Sequence, residues 1–189
     1  MKVLQRHATY SDYVSKQKSK TTNPEKIEKW TNAEWKSKIE GFCSVFARNE
    51  KYVSQCKTAI CLGSRTGQEV VALKDLGLKA IGIDLVAFLP HTEVGDIHDI
   101  HYPNKSFDLV FTNVFDHSIY PDKFVSEIER VCKKYAILNL QIGVSGDEYS
   151  ENSVDKPDDV FSLFKSFKVL ESREVKRQFD GMNYELVMG

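Results

Sequence analysis

From Lys57 onward, short apolar segments alternate with segments of helical periodicity. Short apolar runs bounded by turn residues predict strands, and apolar residues three and four positions apart predict helices. Gly77 closes a predicted helix at 68–76, and Pro121 opens another, because glycine is favoured just past a helix and proline in its first turn. The segments that predict strands in this part are 58–62, 79–85, 92–94, 107–114 and 136–142. Such alternation predicts a mostly parallel sheet with helices on both faces.

The C-terminal part departs from this alternation. After a predicted helix at 158–167, two strands follow in succession at 168–176 and 182–188, joined by the short turn QFDG. Strands joined by a short turn pair antiparallel. The sequence therefore predicts an α/β fold with a doubly wound, mostly parallel, seven-stranded sheet and an antiparallel C-terminal edge hairpin. The polar stretch 143–156 is rich in turn-forming residues, and we interpret it as a surface loop.

The first part of the chain has a helical pattern without strand signals. We therefore divide the chain into an N-terminal helical segment at 1–54 and an α/β domain at 55–189. Residues 1–22 are polar and offer little to bury, which indicates a loose helix or an arm. Asn23 and Pro24 then suit an N-cap and a first helical residue. The first regular helix is expected to begin there.

An apolar stripe at i, i+4, i+7 and i+11 follows, and it predicts one packed face on a helix that runs to about Arg48. The stripe consists of Trp35, Ile39, Phe42 and Phe46. We interpret the N-terminal helix that carries Trp30 and Trp35 as a candidate lid over the functional site.

Composition limits the functional classes. The 189 residues are 41% apolar, which suits one domain. The formal net charge of −1 at pH 7 gives no overall electrostatic field that would attract nucleic acid or anionic membranes. The start lacks the apolar core of a secretory signal, and no apolar run approaches the roughly 20 residues that span a bilayer. The four cysteines form no CxxC pair, so neither a zinc knuckle nor a dithiol site is indicated. We expect a cytoplasmic protein with reduced thiols and no membrane contact.

The loop after the first predicted strand, from Gly63 to Gly67, has the spacing of a ligand-binding turn. A pyrophosphate fingerprint, G-x-G-x-x-G, would need glycines where this chain has Arg65 and Gln68. A Walker A loop is excluded as well, because no Gly-Lys-Ser/Thr follows. Asp84 ends the second predicted strand 21 residues after Gly63, the spacing at which a carboxylate reaches a ribose diol. The implied ligand is an adenosine without a pyrophosphate.

Together with later blocks, this loop resembles the first motif of class I S-adenosylmethionine-dependent methyltransferases, acidic-x-G-x-G-x-G. Cys61 and Arg65 replace the acidic residue and the middle glycine, whereas Gly63 and Gly67 are kept. The resemblance extends over 58–143, where the further blocks follow in the family's order: IGIDL, VGDIHDIHYPNKSFDLVFTN and YPDKFVSEIERV. Two segments of this chain, CLGSRTGQEVVAL and NVFDHSIYPDKF, resemble a subgroup of this family. In that subgroup the first motif is CLGxRTGxEV, with arginine in place of the middle glycine.

The resemblance implies S-adenosylmethionine as the cofactor and assigns its contacts. Asp84, with Leu85 beside it, is expected to bind the ribose. Asp96 is expected at the exocyclic amine of adenine, with the Ile97 N–H at the ring. Asn113 lies where family members contact cofactor or substrate. The residues expected at the methionine portion are Gly63, Ser64, Arg65 and Gly67.

Several of these residues have an alternative interpretation. In the alternative interpretation, the loop glycines only allow a tight turn, and Asp96 only caps a turn. Arg65 is either a solvated loop residue or a guanidinium that pairs with the cofactor carboxylate. Glu69, four residues on, is interpreted as a partner of Arg65 rather than a catalytic group. His98, Asp99 and His101 lie close together in the sequence and are residue types that bind metals. We interpret them as exposed loop residues and expect no metal site.

His117 is the candidate catalytic residue, because it follows the strand beyond which the acceptor should approach the methyl group. Imidazole is the commonest general base near neutral pH. Asp116 and Tyr120 are candidate helpers. In the alternative interpretation, His117 caps the helix that starts at Pro121.

The function predicted from these residues is S-adenosylmethionine-dependent methyl transfer to an unidentified small-molecule acceptor. Two alternatives stay open: a catalytically inactive S-adenosylmethionine-binding partner subunit, and an RNA or protein methyltransferase. A nicotinamide-dependent oxidoreductase is disfavoured by the missing glycines.

Overall fold

The computed structural model describes residues 1–144, 146–176 and 181–189. Its strands are β1 (Lys2–Val3), β2 (Thr58–Leu62), β3 (Lys79–Asp84), β4 (Thr92–Val94), β5 (Phe107–Thr112), β6 (Cys132–Leu140), β7 (Asn152–Ser153), β8 (Val169–Glu174) and β9 (Tyr184–Met188). Its α-helices are α1 (Tyr10–Thr21), α2 (Pro24–Glu28), α3 (Trp35–Arg48), α4 (Glu50–Val53), α5 (Gln68–Asp75), α6 (Pro121–Val131) and α7 (Asp158–Phe161). In the described part of the chain, no helix has the length and apolar character needed to cross a membrane.

Seven strands form one sheet in the order β4-β3-β2-β5-β6-β9-β8. The strands from β2 to β6 run parallel to one another, whereas β9 pairs antiparallel with both β6 and β8. The predicted seven-stranded, mostly parallel sheet with an antiparallel C-terminal edge is confirmed. Of the predicted QFDG turn between the last two strands, residues 178–180 lie outside the described residues.

Helices cover both faces of the sheet, as the alternation predicts. On one face, Phe46 of α3 lies edge-to-face on Phe111 of β5, with ring centroids 5.1 Å apart. On the other face, α6 packs through Phe124 and Ile128, both fully buried. Strand β5 is buried along its whole length. Burial on both faces is the reason for its nearly continuous apolar sequence.

Helix α3 carries the predicted apolar stripe with one notable difference. Phe42 and Phe46 are buried, whereas Trp35 and Ile39 are only partly buried. Lys38, on the buried side of the helix, is 6% exposed. A charged side chain thus occupies a core-facing position where the periodicity favours an apolar one.

The start of one strand and the end of one helix differ most from the prediction, by four and six residues. Strand β6 begins at Cys132, four residues before its predicted start, because α6 leads directly into it. Helix α7 ends at Phe161, although the sequence predicts it to 167. The reason is Glu129, whose Oε1 accepts hydrogen bonds from three consecutive backbone N–H groups, those of Lys165, Ser166 and Phe167. These amides are therefore not available to a helix.

The prediction of a loose helix or arm at 1–22 is wrong. Helix α1 is regular and begins with a capping box, in which the Thr9 hydroxyl accepts the Asp12 N–H at 3.2 Å and the Asp12 carboxylate accepts the Thr9 N–H at 2.9 Å. Asn23 caps the next helix, α2, as predicted. Ahead of α1, β1 pairs with β7, which lies within the predicted surface loop 143–156. That loop therefore anchors the N-terminal segment to the domain.

Because Thr9→Ala removes the hydroxyl that accepts the Asp12 N–H, it is expected to destabilise α1 by about 0.5–2 kcal/mol. Hydrogen exchange of the α1 amides should accelerate, while the amides of β5 keep their protection. Ser11→Ala, at an exposed position in the same turn, is the matched control and should change neither. Identical exchange in wild type and Thr9→Ala would show that the box does not hold the helix.

Candidate functional site

The site lies at the carboxyl edge of the sheet, where β3, β2 and β5 end side by side. Leu62, at the end of β2, pairs with Ile83 on β3 and with Thr112 on β5. The loops that follow these strands therefore meet. The chain order reverses between β2 and β5, and such a switch point leaves a crevice beyond the strand ends.

Three adjoining cavities open at this edge, and Arg65 lines all of them. The carboxylate cavity, with about 530 Å³ of empty space, is lined by residues that include Gly63, Asp84, Leu85, Asp96, Ile97 and His117. The back cavity, with about 250 Å³, is lined by residues that include Lys38, Phe42, Glu69 and Asn113. The lysine cavity, with about 840 Å³, is lined by residues that include Lys20, Lys26, Lys29, Asn113 and His117.

The geometry of the loop after β2 requires its glycines. Gly63 has a φ of 73°, and a Cβ there would lie 2.3 Å from a methyl carbon of Val114. Gly67 has a φ of 83° at the N-cap of α5, where a Cβ would lie 2.4 Å from the Cβ of His91. Arg65 between them also has a positive φ, of 44°. This left-handed turn brings the backbone close to the strand ends, as a ligand-binding loop requires.

Asp84 ends β3 and lines the carboxylate cavity, with 9% of its surface exposed. Its Oδ2 accepts the Arg65 N–H at 3.0 Å, and its Oδ1 accepts the Val86 N–H at 3.3 Å. Burial raises the pKa of this carboxyl, and the two backbone donors oppose the rise. A carboxylate has about four lone-pair sites. Asp84 is therefore fixed in place and still able to accept hydroxyl donors from a ligand.

Asp96 follows β4 and lines the same cavity. Its Oδ2 accepts the Tyr10 hydroxyl at 2.6 Å, and its Oδ1 accepts the His98 N–H at 2.8 Å. Partial burial acts to raise the pKa of the carboxyl, but the hydrogen bonds from His98 and Tyr10 outweigh it and lower the pKa to about 2. Asp96 is therefore ionised at neutral pH and suited to a ligand amine.

His98 is 1% exposed, so the interpretation of this residue as an exposed loop residue is wrong. Its Nδ1 lies 2.9 Å from the Tyr10 hydroxyl and its Nε2 lies 2.8 Å from the Ser118 hydroxyl. His98 thus connects α1 to the loop after β5. Asp99 and His101 are exposed, as expected. Within the described residues, no group of three or more potential metal ligands comes together.

His117 lines both the carboxylate cavity and the lysine cavity. Its Nδ1 lies 3.0 Å from the carbonyl oxygen of Tyr149, which can only accept a hydrogen bond. We therefore assign the proton to Nδ1, which leaves Nε2 as the acceptor of the neutral ring, 3.4 Å from Lys20 Nζ and 3.8 Å from Asp116 Oδ2. His117 does not cap α6, whose N-cap is Tyr120 and lacks a side-chain cap.

Trp30, from the predicted lid, lines the back cavity and the lysine cavity, and helix α1 covers a further side of the site. The Tyr13 hydroxyl donates to the carbonyl oxygen of His117 at 3.1 Å, and the Gln17 amide donates to that of Tyr149 at 2.8 Å. Sequence reasoning missed this face because the segment is polar. Two signals were available: the T-x-x-D capping box and the 3-4-3 spacing of Tyr10, Tyr13, Gln17 and Lys20.

Arg65 is not a solvated loop residue. Its guanidinium lies over the ring of Trp30, 4.9 Å from the centroid. The Trp30 carbonyl in turn accepts a hydrogen bond from the Gln68 side chain at 2.9 Å, which ties the π-helical segment Lys29–Ala33, between α2 and α3, to α5. Trp35 lies apart from this contact, with its ring 6.0 Å from that of His91.

The remaining predicted cofactor residues divide into two groups. Leu85 and Ile97 line the carboxylate cavity beside the two aspartates. Ser64 and Asn113 line the back cavity instead, and the buried Ser64 hydroxyl lies 2.9 Å from that of Thr92. Gly67, as described above, turns the chain into α5.

Comparison with known proteins agrees with this architecture. Residues 60–139, less than half of the chain, match a family model described as a methyltransferase domain. The comparison with curated proteins gives no match. Among similar solved structures is the 1,6-didemethyltoxoflavin-N1-methyltransferase of Burkholderia thailandensis with 1,6-didemethyltoxoflavin and S-adenosylhomocysteine bound. It is 11% identical with a TM-score of 0.71, over 99% of this chain and 92% of that chain.

Two further structures are similar. A SAM-dependent methyltransferase of Archaeoglobus fulgidus is 15% identical with a TM-score of 0.62, over 79% of this chain and 93% of that chain. The [4+2]-cyclase SpnF is 16% identical with a TM-score of 0.54, over 68% of this chain and 59% of that chain. At these identities the likeness shows the fold alone, a fold shared here by two methyltransferases and a cyclase. The match of residues 60–139 supports a methyltransferase, and the subgroup with the CLGxRTGxEV motif stays a prediction.

If Asp84 binds a ribose, Asp84→Ala should weaken binding of S-adenosylhomocysteine by about 1.5–3 kcal/mol, the range for hydrogen bonds to charged groups. Isothermal titration calorimetry measures this difference. Asp75→Ala, at an exposed position on α5, is the control and should bind as wild type does. Because Asp84 also holds the Arg65 N–H, Asp84→Asn serves as a second variant that keeps one acceptor oxygen. Unchanged affinity in a folded Asp84→Ala variant would remove this residue from the site.

Proposed function

We propose that the protein is an S-adenosylmethionine-dependent methyltransferase that acts on a small-molecule acceptor. In this proposal the adenosine of the cofactor binds in the carboxylate cavity and the acceptor binds in the lysine cavity. One observation carries it: two fixed carboxylates, Asp84 and Asp96, and one imidazole, His117, line a single cavity at the switch point of the sheet.

The residues of the carboxylate cavity fit an adenosine. The Asp84 carboxylate suits the two ribose hydroxyls, and the ionised Asp96 suits the exocyclic amine of adenine. Leu85 and Ile97 supply apolar contact for the ring. When bound, S-adenosylmethionine supplies a methyl group that its positively charged sulfur activates.

The lysine cavity supports a small acceptor. It shares Lys20, Arg65 and His117 with the carboxylate cavity, so an acceptor there would lie next to the bound cofactor. Its size suits a compact molecule, and Trp30 in its wall offers a flat apolar surface. The Burkholderia methyltransferase, similar over 99% of this chain, has the small molecule 1,6-didemethyltoxoflavin bound and in its name.

His117 is the proposed general base. The Tyr149 carbonyl holds the Nδ1 proton, so Nε2 is the nitrogen that accepts a second proton. The proton that the acceptor would lose on taking the methyl group from the cofactor would pass to Nε2. Asp116, 3.8 Å away, then stabilises the imidazolium. The Lys20 ammonium is paired with Asp147 at 2.6 Å, which offsets its charge near the ring.

Binding and transfer experiments separate this proposal from its alternatives. The protein should bind S-adenosylhomocysteine and not NAD, which excludes a nicotinamide-dependent oxidoreductase. Methyl transfer is then screened with small metabolites, RNA and proteins as acceptors. Transfer only to RNA or protein would overturn the acceptor class, and binding without any transfer would favour an inactive partner subunit. The screen is needed because the [4+2]-cyclase has a similar fold.

If His117 accepts the proton, His117→Asn should lower kcat by about 10²–10⁴-fold, the usual contribution of a general base. Asparagine can still donate to the Tyr149 carbonyl, so the loop should keep its conformation. Affinity for S-adenosylhomocysteine should stay unchanged.

His101→Asn is the matched control, because this histidine is half-exposed and lies next to Glu93, away from the three cavities. It should keep the wild-type rate. A folded His117→Asn variant with the full rate would mean that the enzyme works by positioning alone, with an acceptor that arrives deprotonated.

A further inference from the structure

The lysine cavity, the largest of the three, is lined by more cations than carboxylates. We propose that the methyl acceptor is an anion and that its carboxylate or phosphate group binds between Lys20, Lys26 and Arg65. This inference rests on the proposed function and narrows the acceptor to one chemical class. Carboxylate and phosphate oxygens are the acceptors that ammonium and guanidinium groups bind most strongly.

Cations from four segments of the chain meet at this cavity. They are Lys20 on α1, Lys26 on α2, Lys29 on the π-helical segment and Arg65 on the loop after β2. Two carboxylates, Asp116 and Asp147, line the cavity as well. Four cations against two carboxylates leave an excess of two positive charges, whereas the whole chain has a formal net charge of −1. A cleft lined mainly by charges of one sign attracts ligands of the opposite sign.

Lys20 is the most enclosed of the three lysines, with 12% of its side chain exposed. Its Nζ lies 2.6 Å from Asp147 Oδ2 and 3.4 Å from His117 Nε2. Burial lowers the pKa of this ammonium, and the Arg65 guanidinium lowers it further, while Asp147 opposes both effects. Lys20 and Arg65 thus repel each other, and an anion bound between them would relieve the repulsion.

Lys26 approaches the same aromatic ring as Lys20. Their Nζ atoms lie 4.4 Å and 5.1 Å from the centroid of the Tyr149 ring. Lys26 also lies 3.5 Å from Glu148, whose side chain is 74% exposed. An ion pair with so exposed a carboxylate contributes little, so a ligand anion replaces Glu148 at small cost. Two ammonium groups are therefore gathered at one wall of the cavity.

The two lining carboxylates are engaged by donors of the protein. Asp147 Oδ1 accepts the Tyr149 N–H at 2.8 Å, in addition to the contact of Oδ2 with Lys20. Asp116 Oδ2 accepts the Ser150 hydroxyl at 2.5 Å. These bonds offset part of the negative charge of the two carboxylates, so the excess of cations remains for a ligand.

The proposed anion would lie close to the site of methyl transfer. Lys20, Arg65 and His117 line both the carboxylate cavity and the lysine cavity, so they lie where the two adjoin. The cofactor brings a positively charged sulfur to a site that already has two cations. Like charges at one place oppose binding unless an anion offsets them. A negatively charged acceptor supplies that anion, and a neutral acceptor does not.

Small anions serve as probes, because the acceptor itself is unidentified. Inorganic phosphate and benzoate represent the two anionic groups, and benzamide is the uncharged counterpart of benzoate. Each probe is titrated into the complex with S-adenosylhomocysteine at constant ionic strength, and binding is measured by NMR of the probe. At least one anion should bind saturably and benzamide should not. The anion that binds more tightly distinguishes a carboxylate from a phosphate site.

Lys20→Met and Lys26→Met should each weaken binding of that anion about tenfold or more, the effect of losing a hydrogen bond to a charged group. Lys18→Met is the matched control, because Lys18 lies in the last turn of the same helix as Lys20 and is exposed. It should bind the anion as wild type does. Lys26→Met should keep wild-type affinity for S-adenosylhomocysteine, since Lys26 lines the lysine cavity and not the carboxylate cavity.

The acceptor screen supplies a second measurement. The acceptor with the highest kcat/KM should carry a carboxylate or phosphate group, and Lys26→Met should raise its KM about tenfold. An uncharged best acceptor would overturn the inference and leave the proposed function standing. The same follows if neither anion binds, if benzamide binds as well as benzoate, or if both lysine variants bind the anion as wild type does. A wild-type protein that does not bind S-adenosylhomocysteine would overturn the proposed function itself.

Discussion

The site depends on one hydrogen bond, from the Arg65 N–H to the Asp84 carboxylate. It fixes the loop after β2 against the end of β3, across a turn in which Gly63 and Arg65 both have positive φ. Because the Arg65 side chain starts from the same fixed residue, its guanidinium is held over Trp30 at the meeting point of the three cavities. A shift of this loop would therefore alter all three cavities together.

The sheet and its strand ends could be predicted because their signals are local. Strands such as β5 are continuously apolar since both faces are buried, and Gly77 ends α5 with a φ of 88°. Asp84 could be identified because the chain length between a glycine loop and the end of the next strand is nearly constant in this fold. The assignment of Asp96 to the site depends on the order of the later sequence blocks. The sequence pattern does not show that Tyr10 and His98 keep its carboxylate ionised.

The position of α1 over the site could not be predicted, because its contacts join residues far apart in the chain. Tyr10 meets Asp96 across 86 positions, and Gln17 meets Tyr149 across 132. Polar side chains that bind distant loops leave no apolar periodicity in the sequence. The same reason explains the buried His98, whose partners come from α1 and from the loop after β5. In each case a local pattern indicates exposure, and tertiary hydrogen bonds make burial favourable.

The position of α1 has a consequence for how fast ligands exchange. Opening the cavity on that side breaks the hydrogen bonds of Tyr10, Tyr13 and Gln17. Each hydrogen bond contributes about 0.5–1.5 kcal/mol to the closed form. Counting these three bonds alone, the fraction of molecules in the open form is between about one in ten and one in two thousand. Cofactor binding and product release along this route would then require a rare opening of helix α1. The residence time of a ligand would be set by a helix that contributes little to the core.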